Sequence, residues 1–264
     1  MFEWYGSGEL IDMHNFWKLV LIGSVLVNLL AIWGFFHYIR YGGSPLGELK
    51  RYFMGSSSQS VPKLPYEDEN RQILAKIAQG ESDPLRVVFL GASITNRWDL
   101  KRDFPEAHVI NRGLGGQLVP DMIVRFKRDV IDLKPKAVVI KFCSINIRPR
   151  LPLSVLKDVM TMITQLAQAN DIVPIVSTII PAGKPEAHIG NFSIVDTLGA
   201  FNDWVRRFAA ENRFPLIDFA AAIEDENGFL PRDCSVDPVH VNEKGYRILA
   251  EVARPVIYQV IGVH

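Results

Sequence analysis

The sequence predicts an α/β domain, a flavodoxin-like three-layer sandwich around a central parallel sheet, preceded by one transmembrane helix. Three observations carry this expectation. From Arg86 onward, short runs of β-branched and other apolar residues alternate with helical patterns. Nearer the N-terminus lies a single long apolar run. The polar residues with chemical potential fall at one end of the expected strands, where open parallel sheets bind ligands.

The apolar run, residues 16–39, reads FWKLVLIGSVLVNLLAIWGFFHYI. Between Leu19 and Phe36 its only clearly polar side chains are Ser24 and Asn28. As a helix it extends about 36 Å, enough to cross a hydrocarbon core with some tilt. Trp17, Trp33 and Tyr38 lie towards its ends, where interfacial aromatics belong. A cleaved signal peptide fits poorly, because Glu3, Glu9 and Asp12 precede the run and no small-x-small site follows it. Residues 40–65 hold Gly42-Gly43-Ser44-Pro45, Gly55 to Ser60, Pro62 and Pro65, a linker composition. The expected organisation is therefore a tail at 1–15, a membrane span at 16–39, a linker at 40–65 and a globular domain at 66–264.

Within that domain, residues 66–79 read as a helix with Ile73, Leu74, Ile77 and Ala78 on one face. The expected strands are RVVFLG at 86–91, HVIN at 108–111, AVVIKF at 137–142, IVPIVSTI at 172–179 and PLID at 215–218. Helical patterns occupy 119–133, 153–170, 193–212 and 242–261. Four segments then share one rim: Gly91-Ala92-Ser93, Asn111-Arg112-Gly113, Cys143 to Asn146, and the loop carrying Asp237 and His240.

Composition narrows the function. Lysines and arginines balance aspartates and glutamates, 29 against 29, so no global field recruits nucleic acid. Cys143 and Cys234 read as small buried residues, with a redox pairing near the rim as the alternative. His14, His37, His108, His188 and His264 show no ligand spacing, so no metal is expected. Gly113-Leu114-Gly115-Gly116 is not the G-x-G-x-x-G of a phosphate-cradling loop. Arg148 and Arg150 belong to a solvated loop or face an anionic substrate.

Asp237-Pro238-Val239-His240 sets a carboxylate three residues before an imidazole, just ahead of a helix that Asn242 can cap. A carboxylate so placed can fold back to accept the Nδ1 proton, leaving Nε2 to take a proton from a nucleophile. Ser93 follows the first strand directly. It reads either as that nucleophile or as a helix N-cap. With Asp237 and His240 on the same rim, in the order Ser…Asp…His, the nucleophile reading is preferred.

These residues resemble the SGNH (GDSL-like) hydrolase superfamily. GASIT at 91–95 is similar to its first block, normally G-D-S-I-T, and NRGLGG at 111–116 to its second. PKAVVIKFCSIN at 135–146 is similar to the third block, which ends in G-x-N-D. DPVHVNEKGYRILAE at 237–251 is similar to the last, D-x-x-H-x-N-x-x-G-Y. The resemblance implies Ser93 as nucleophile, His240 as general base and then acid, and Asp237 as its orienting partner. It also implies the backbone N–H groups of Ser93 and Gly113 as oxyanion donors, with no metal or cofactor. Two positions depart from the pattern. Ala92 replaces the first-block aspartate. Ile145 takes the place of the third-block asparagine, whose side chain donates to the oxyanion in the family, and Asn146 that of the aspartate. A one-residue bulge would let Asn146 supply the donor; otherwise it caps the loop.

The resemblance implies a serine esterase acting through an acyl-enzyme, removing a short acyl group, acetyl above all, from a carbohydrate or lipid-linked substrate. The alternatives are an SGNH domain that binds a glycan or lipid without turnover, and an O-acetyltransferase. Lys18 on one side of the apolar run, against Arg40, Lys50 and Arg51 on the other, points to a cytoplasmic domain. An envelope substrate requires the outer, periplasmic face, and functional analogy favours that face.

Overall fold

The computed structural model describes residues 13–41, 64–147, 151–184, 188–189 and 192–263. Most of the tail and of the linker, Arg148, Arg150 and His264 lie outside the described residues. The chain divides into two units, Met1–Leu64 and Pro65–His264.

In the first unit the apolar run forms one helix, α1 (Met13–Tyr41), of 29 residues. Val20, Leu21, Ile22, Val25, Leu26, Val27, Leu29, Leu30 and Ile32 are exposed along it. Among the described residues no helix is long and apolar enough to cross a membrane. The structure therefore does not show the expected span at 16–39.

The second unit opens with α2 (Glu67–Ala78) and builds five parallel strands. These are β1 (Arg86–Gly91), β2 (His108–Gly113), β3 (Ala137–Lys141), β4 (Val173–Ser177) and β7 (Leu216–Ile217). Their order is β2-β1-β3-β4-β7, so the chain reverses its direction of travel between β2 and β3. β1 and β3 are buried at every residue, which is why their sequences run apolar without alternation. Between β1 and β2 lie two four-residue helices, α3 (Ser93–Asn96) and α4 (Leu100–Asp103). Longer helices follow: α5 (Val119–Asp129), α6 (Leu153–Gln168), α7 (Ile194–Asn212), the short α8 (Phe219–Ile223), and α9 (Glu243–Ile261). A two-stranded ribbon, β5 (His188–Ile189) with β6 (Phe192–Ser193), is an element the sequence pattern does not announce.

The aromatic core on the α3–α4 side fixes where the rim residues sit. Trp98 packs against Phe89, Phe104, Phe219 and Tyr246 at centroid distances of 5.6–6.0 Å. This cluster joins β1, the segments after α3 and α4, α8 and α9. Full burial of each such ring stabilises by about 1.5–3 kcal/mol. The cluster therefore draws the C-terminal helix, and the loop before it, onto the end of β1.

Candidate active site

Ser93 is the first residue of α3, immediately after β1 and Ala92. At that position its own N–H has no intrahelical acceptor and stays directed outward from the helix start. From the far end of the chain, the Tyr246 hydroxyl donates to the Ile94 carbonyl at 2.9 Å, pinning α3 to α9. Burial pushes the Tyr246 phenol up to about 12, so it remains a donor across the physiological range.

Asp237 and His240 lie in a tight loop closed by an antiparallel bridge between Ser235 and Val241 and a bond from Val236 N to the His240 carbonyl at 3.0 Å. Asn242 caps α9, its side chain accepting the Gly245 N–H at 3.0 Å. Gly245 is required here, because a Cβ would lie 2.5 Å from the Cys234 carbonyl oxygen. One Asp237 carboxylate oxygen accepts the backbone N–H groups of Val239 and His240, both at 2.8 Å. The other lies 2.7 Å from His240 Nδ1, and His240 Nε2 lies 2.9 Å from Ser93 Oγ. A carboxylate only accepts, so Nδ1 carries the ring proton and Nε2 accepts from the Ser93 hydroxyl. Burial alone would raise the Asp237 carboxyl, but the N–H groups of Val239 and His240 and the imidazole outweigh it and hold it below the usual carboxylate value.

The expected oxyanion donors are less simply disposed. The Gly113 N–H donates to the Asn111 side-chain oxygen at 2.9 Å, and Asn111 Nδ2 donates to the Thr95 carbonyl at 2.7 Å. The Gly113 carbonyl accepts from Asn96 Nδ2 at 2.9 Å and from the Tyr66 hydroxyl. Gly113 packs so closely on α3 that a Cβ would lie 2.1 Å from the Asn96 nitrogen. Tyr66 is itself in the left-handed region, with φ 62°, and its ring lies 4.6 Å from the Arg112 guanidinium. Sequence reasoning placed Asn111 on the rim without a role and passed over Asn96 and Tyr66, whose parts show only once β2 and α3 are adjacent.

Asn146 was expected either to cap its loop or to complete the oxyanion hole. It is fully buried in a 3-10 turn (Ser144–Asn146), where its side-chain oxygen accepts the Val119 N–H at 2.9 Å and Nδ2 donates to the Cys143 carbonyl at 3.1 Å. The turn directs the carboxamide inward to the first N–H of α5. These bonds are those of the loop cap. Cys143 and Cys234 are both free and buried, and burial pushes the Cys234 thiol up.

Lys141 was also missed, although a lysine inside AVVIKF was a visible signal. It ends β3 in register with Gly91, is 1% exposed, and lies 5.5 Å from the Phe219 ring centre. Burial pulls its amine down to about 8.

Beyond β4 the rim continues. The Asn202 side chain holds the backbone N–H and carbonyl of Ile179, each at 2.8 Å. The following loop joins the Asp237 loop through Gly183 N to the Pro238 carbonyl at 2.7 Å, and Leu230 N bonds the Ala182 carbonyl at 3.1 Å. Between these loops a cleft of about 710 Å³ opens, bordered by Gly183, Lys184, Asp225, Asn227, Phe229 to Arg232, and Ser235 to Pro238.

The chain is similar to known proteins in sequence and in fold. The lipoprotein YqeF of Bacillus subtilis (strain 168), uncharacterized, is 27% identical over 210 residues, covering 62% of this chain and 86% of its own. The structure of a GDSL-like lipase from Bacteroides thetaiotaomicron VPI-5482 matches with TM-score 0.60 and 24% identity, over 72% of this chain and 97% of that one. An acetylxylan esterase from Geobacillus stearothermophilus matches with TM-score 0.53 and 20% identity, over 69% and 96%, a likeness of fold alone. The model of the GDSL-like lipase/acylhydrolase family matches residues 77–248, and this chain belongs to that family.

Proposed function

We propose that this protein is a serine esterase that removes a short acyl group, acetyl above all, from a carbohydrate or lipid-linked alcohol. The observation that carries the reading is the line of contacts Ser93 Oγ–His240 Nε2–Asp237, at 2.9 and 2.7 Å. His240 takes the Ser93 proton as Oγ attacks the acyl carbonyl, and Asp237 stays ionised beside the imidazolium. Collapse of the tetrahedral intermediate expels the alcohol, which receives the proton from His240. Water then attacks the acyl-serine with His240 again as base, releasing the acid. The Ser93 N–H stabilises the oxyanion, and the Gly113 N–H does so once shared with Asn111.

The apolar run at 16–39 motivates a membrane anchor, and the lipoprotein relative YqeF suggests a membrane-associated setting. An envelope substrate places the domain on the outer face in this reading. Full-length protein in detergent should hydrolyse p-nitrophenyl acetate, and Ser93→Ala should abolish that hydrolysis. Equal activity of the two proteins would refute the assignment. A reporter fused to the C-terminus reads out the membrane side.

One observation favours a second reading, a domain that binds an acylated glycan or lipid without turnover. Two of the three expected oxyanion donors, Gly113 N–H and Asn146 Nδ2, are engaged within the protein. Losing one such donor slows turnover by about 100- to 1000-fold.

A further inference from the structure

We infer that Arg125 is a positioning residue of this site, its guanidinium orienting and polarising the peptide whose N–H is the expected Gly113 oxyanion donor. This rests on the esterase reading and adds to it a buried side chain outside the line of Ser93, His240 and Asp237.

The buried residues of α5 are Val119, Met122, Arg125, Phe126 and Asp129. Their spacing is that of a helix face turned to a core, where apolar side chains belong. Arg125 departs from that pattern, a cation only 4% exposed. A methionine there would fill similar space without taking a charge out of water, so stability alone is a weak reason for a guanidinium.

Its contacts give a better reason. Nη2 donates to the Arg112 carbonyl at 2.7 Å and to the Gly91 carbonyl at 3.3 Å. Nε donates to Gln117 Oε1 at 2.8 Å, and Nη1 to Asp129 Oδ2 at 3.0 Å. Asp129 is fully buried and is fixed in turn, accepting from Asn70 Nδ2 at 2.9 Å and Arg128 Nε at 3.0 Å. All three guanidinium nitrogens are thus engaged, and the plane of the fork is set. Gly91 and Gly113 are register partners at the ends of β1 and β2. One nitrogen of Arg125 therefore spans the two strand ends beside Ser93.

The Arg112 carbonyl and the Gly113 N–H belong to one planar peptide group. Fixing the oxygen consequently fixes the direction of the N–H. A cation on that oxygen also draws electron density through the amide and strengthens the N–H as a donor. The effect matters at Gly113, whose N–H already serves the Asn111 side-chain oxygen and must be shared with an oxyanion. Successive peptides are gripped from different elements: Arg125 holds the carbonyl before Gly113, while Tyr66 and Asn96 hold the carbonyl of Gly113 itself.

The test uses full-length protein in detergent, p-nitrophenyl acetate as substrate and 2,2,2-trifluoroacetophenone as a mimic of the tetrahedral intermediate. Ser93 Oγ adds to the carbonyl carbon of the ketone, the hydroxyl proton passes to His240, and the carbonyl oxygen becomes an alkoxide in the oxyanion hole. Arg125→Met and Arg125→Gln should each lower kcat by about 10- to 100-fold, less than outright loss of a donor. KM should stay within about threefold of the parent, as for an interaction made only in the transition state. The inhibition constant of the ketone should rise by the factor by which kcat/KM falls, while the acid limb of the pH–rate profile, set by the general base, stays in place. Arg125→Lys keeps the charge without the fork, so its loss should be only about three- to tenfold, again matched by the ketone. If the neutral variants do not fold, the lysine variant carries the same comparison. Unchanged kcat, a kcat loss without weaker ketone inhibition, or a lysine variant as impaired as the glutamine one overturns the inference alone. If the parent neither hydrolyses the ester nor binds the ketone, the esterase reading fails and the inference falls with it.

Discussion

The Asn146 side-chain oxygen accepts the Val119 N–H at 2.9 Å, deep in the protein where neither group meets solvent. The bond ties the loop after β3 to the start of α5, and the Nδ2 bond to Cys143 consumes the other half of the carboxamide. Asn146→Ala removes both and leaves a buried N–H unpaired, at a cost of about 1–3 kcal/mol. Urea unfolding should show that loss, while kcat on p-nitrophenyl acetate falls by less than about tenfold. A 100-fold drop in kcat with unchanged stability would make Asn146 an oxyanion donor after all.

Tyr66 acts one layer from the chemistry. Its hydroxyl and Asn96 Nδ2 both hold the Gly113 carbonyl, and so fix the peptide beside the expected oxyanion glycine. Tyr66→Phe should lower kcat several-fold with KM unchanged, because the hydroxyl acts through the Gly113 peptide. Steady-state kinetics in which KM rises and kcat stays constant would place Tyr66 at the substrate instead.

Lys141 makes a prediction about pH and stability. In the unfolded chain its amine holds a proton up to the ordinary value of 10.5, while in the folded protein burial releases it at about 8. Between those values the unfolded state binds more protons, so stability contributed by this residue rises with pH from about 8 to 10.5. Keeping the buried amine charged at pH 7 costs about 3 kcal/mol. Lys141→Met should therefore unfold at higher urea than the parent at pH 7, by about 1–3 kcal/mol, with the gap closing towards pH 10. A gap that stays constant over that range would show that Lys141 does not titrate there.

Asp237→Asn keeps the shape of the loop but offers Nδ1 a donor as readily as an acceptor. The tautomer that leaves Nε2 free to accept from Ser93 loses its support, and kcat should fall by a factor on the order of 10⁴. Loss of less than tenfold in a stopped-flow assay would mean the carboxylate is not what orients His240.

Much of this molecule was legible in its sequence, for identifiable reasons. β1 and β3 are buried on both faces, so their apolar runs stand out without alternation. Asn242 before Glu243 marks the start of α9, and the cap bond to Gly245 forms there. Ser93, Asp237 and His240 could be picked out because each adjoins such an element. The spacing of α3 and α4 was hidden because four-residue helices leave no periodicity. Asn111, Asn96 and Tyr66 were hidden for another reason: their partners are backbone groups far along the chain, brought near only when β2 pairs with β1. Asn146 was read on the strength of its strand alone, and the direction of its carboxamide depends on α5, which no local pattern records.

The central claim is that Ser93 is a nucleophile activated by His240. Intact-protein mass spectrometry after treatment with a fluorophosphonate probe tests it most directly. One adduct is expected, mapped to Ser93 by peptide fragmentation, lost in Ser93→Ala and strongly slowed in His240→Ala. No adduct on the parent protein, or one that forms equally fast without His240, would contradict it.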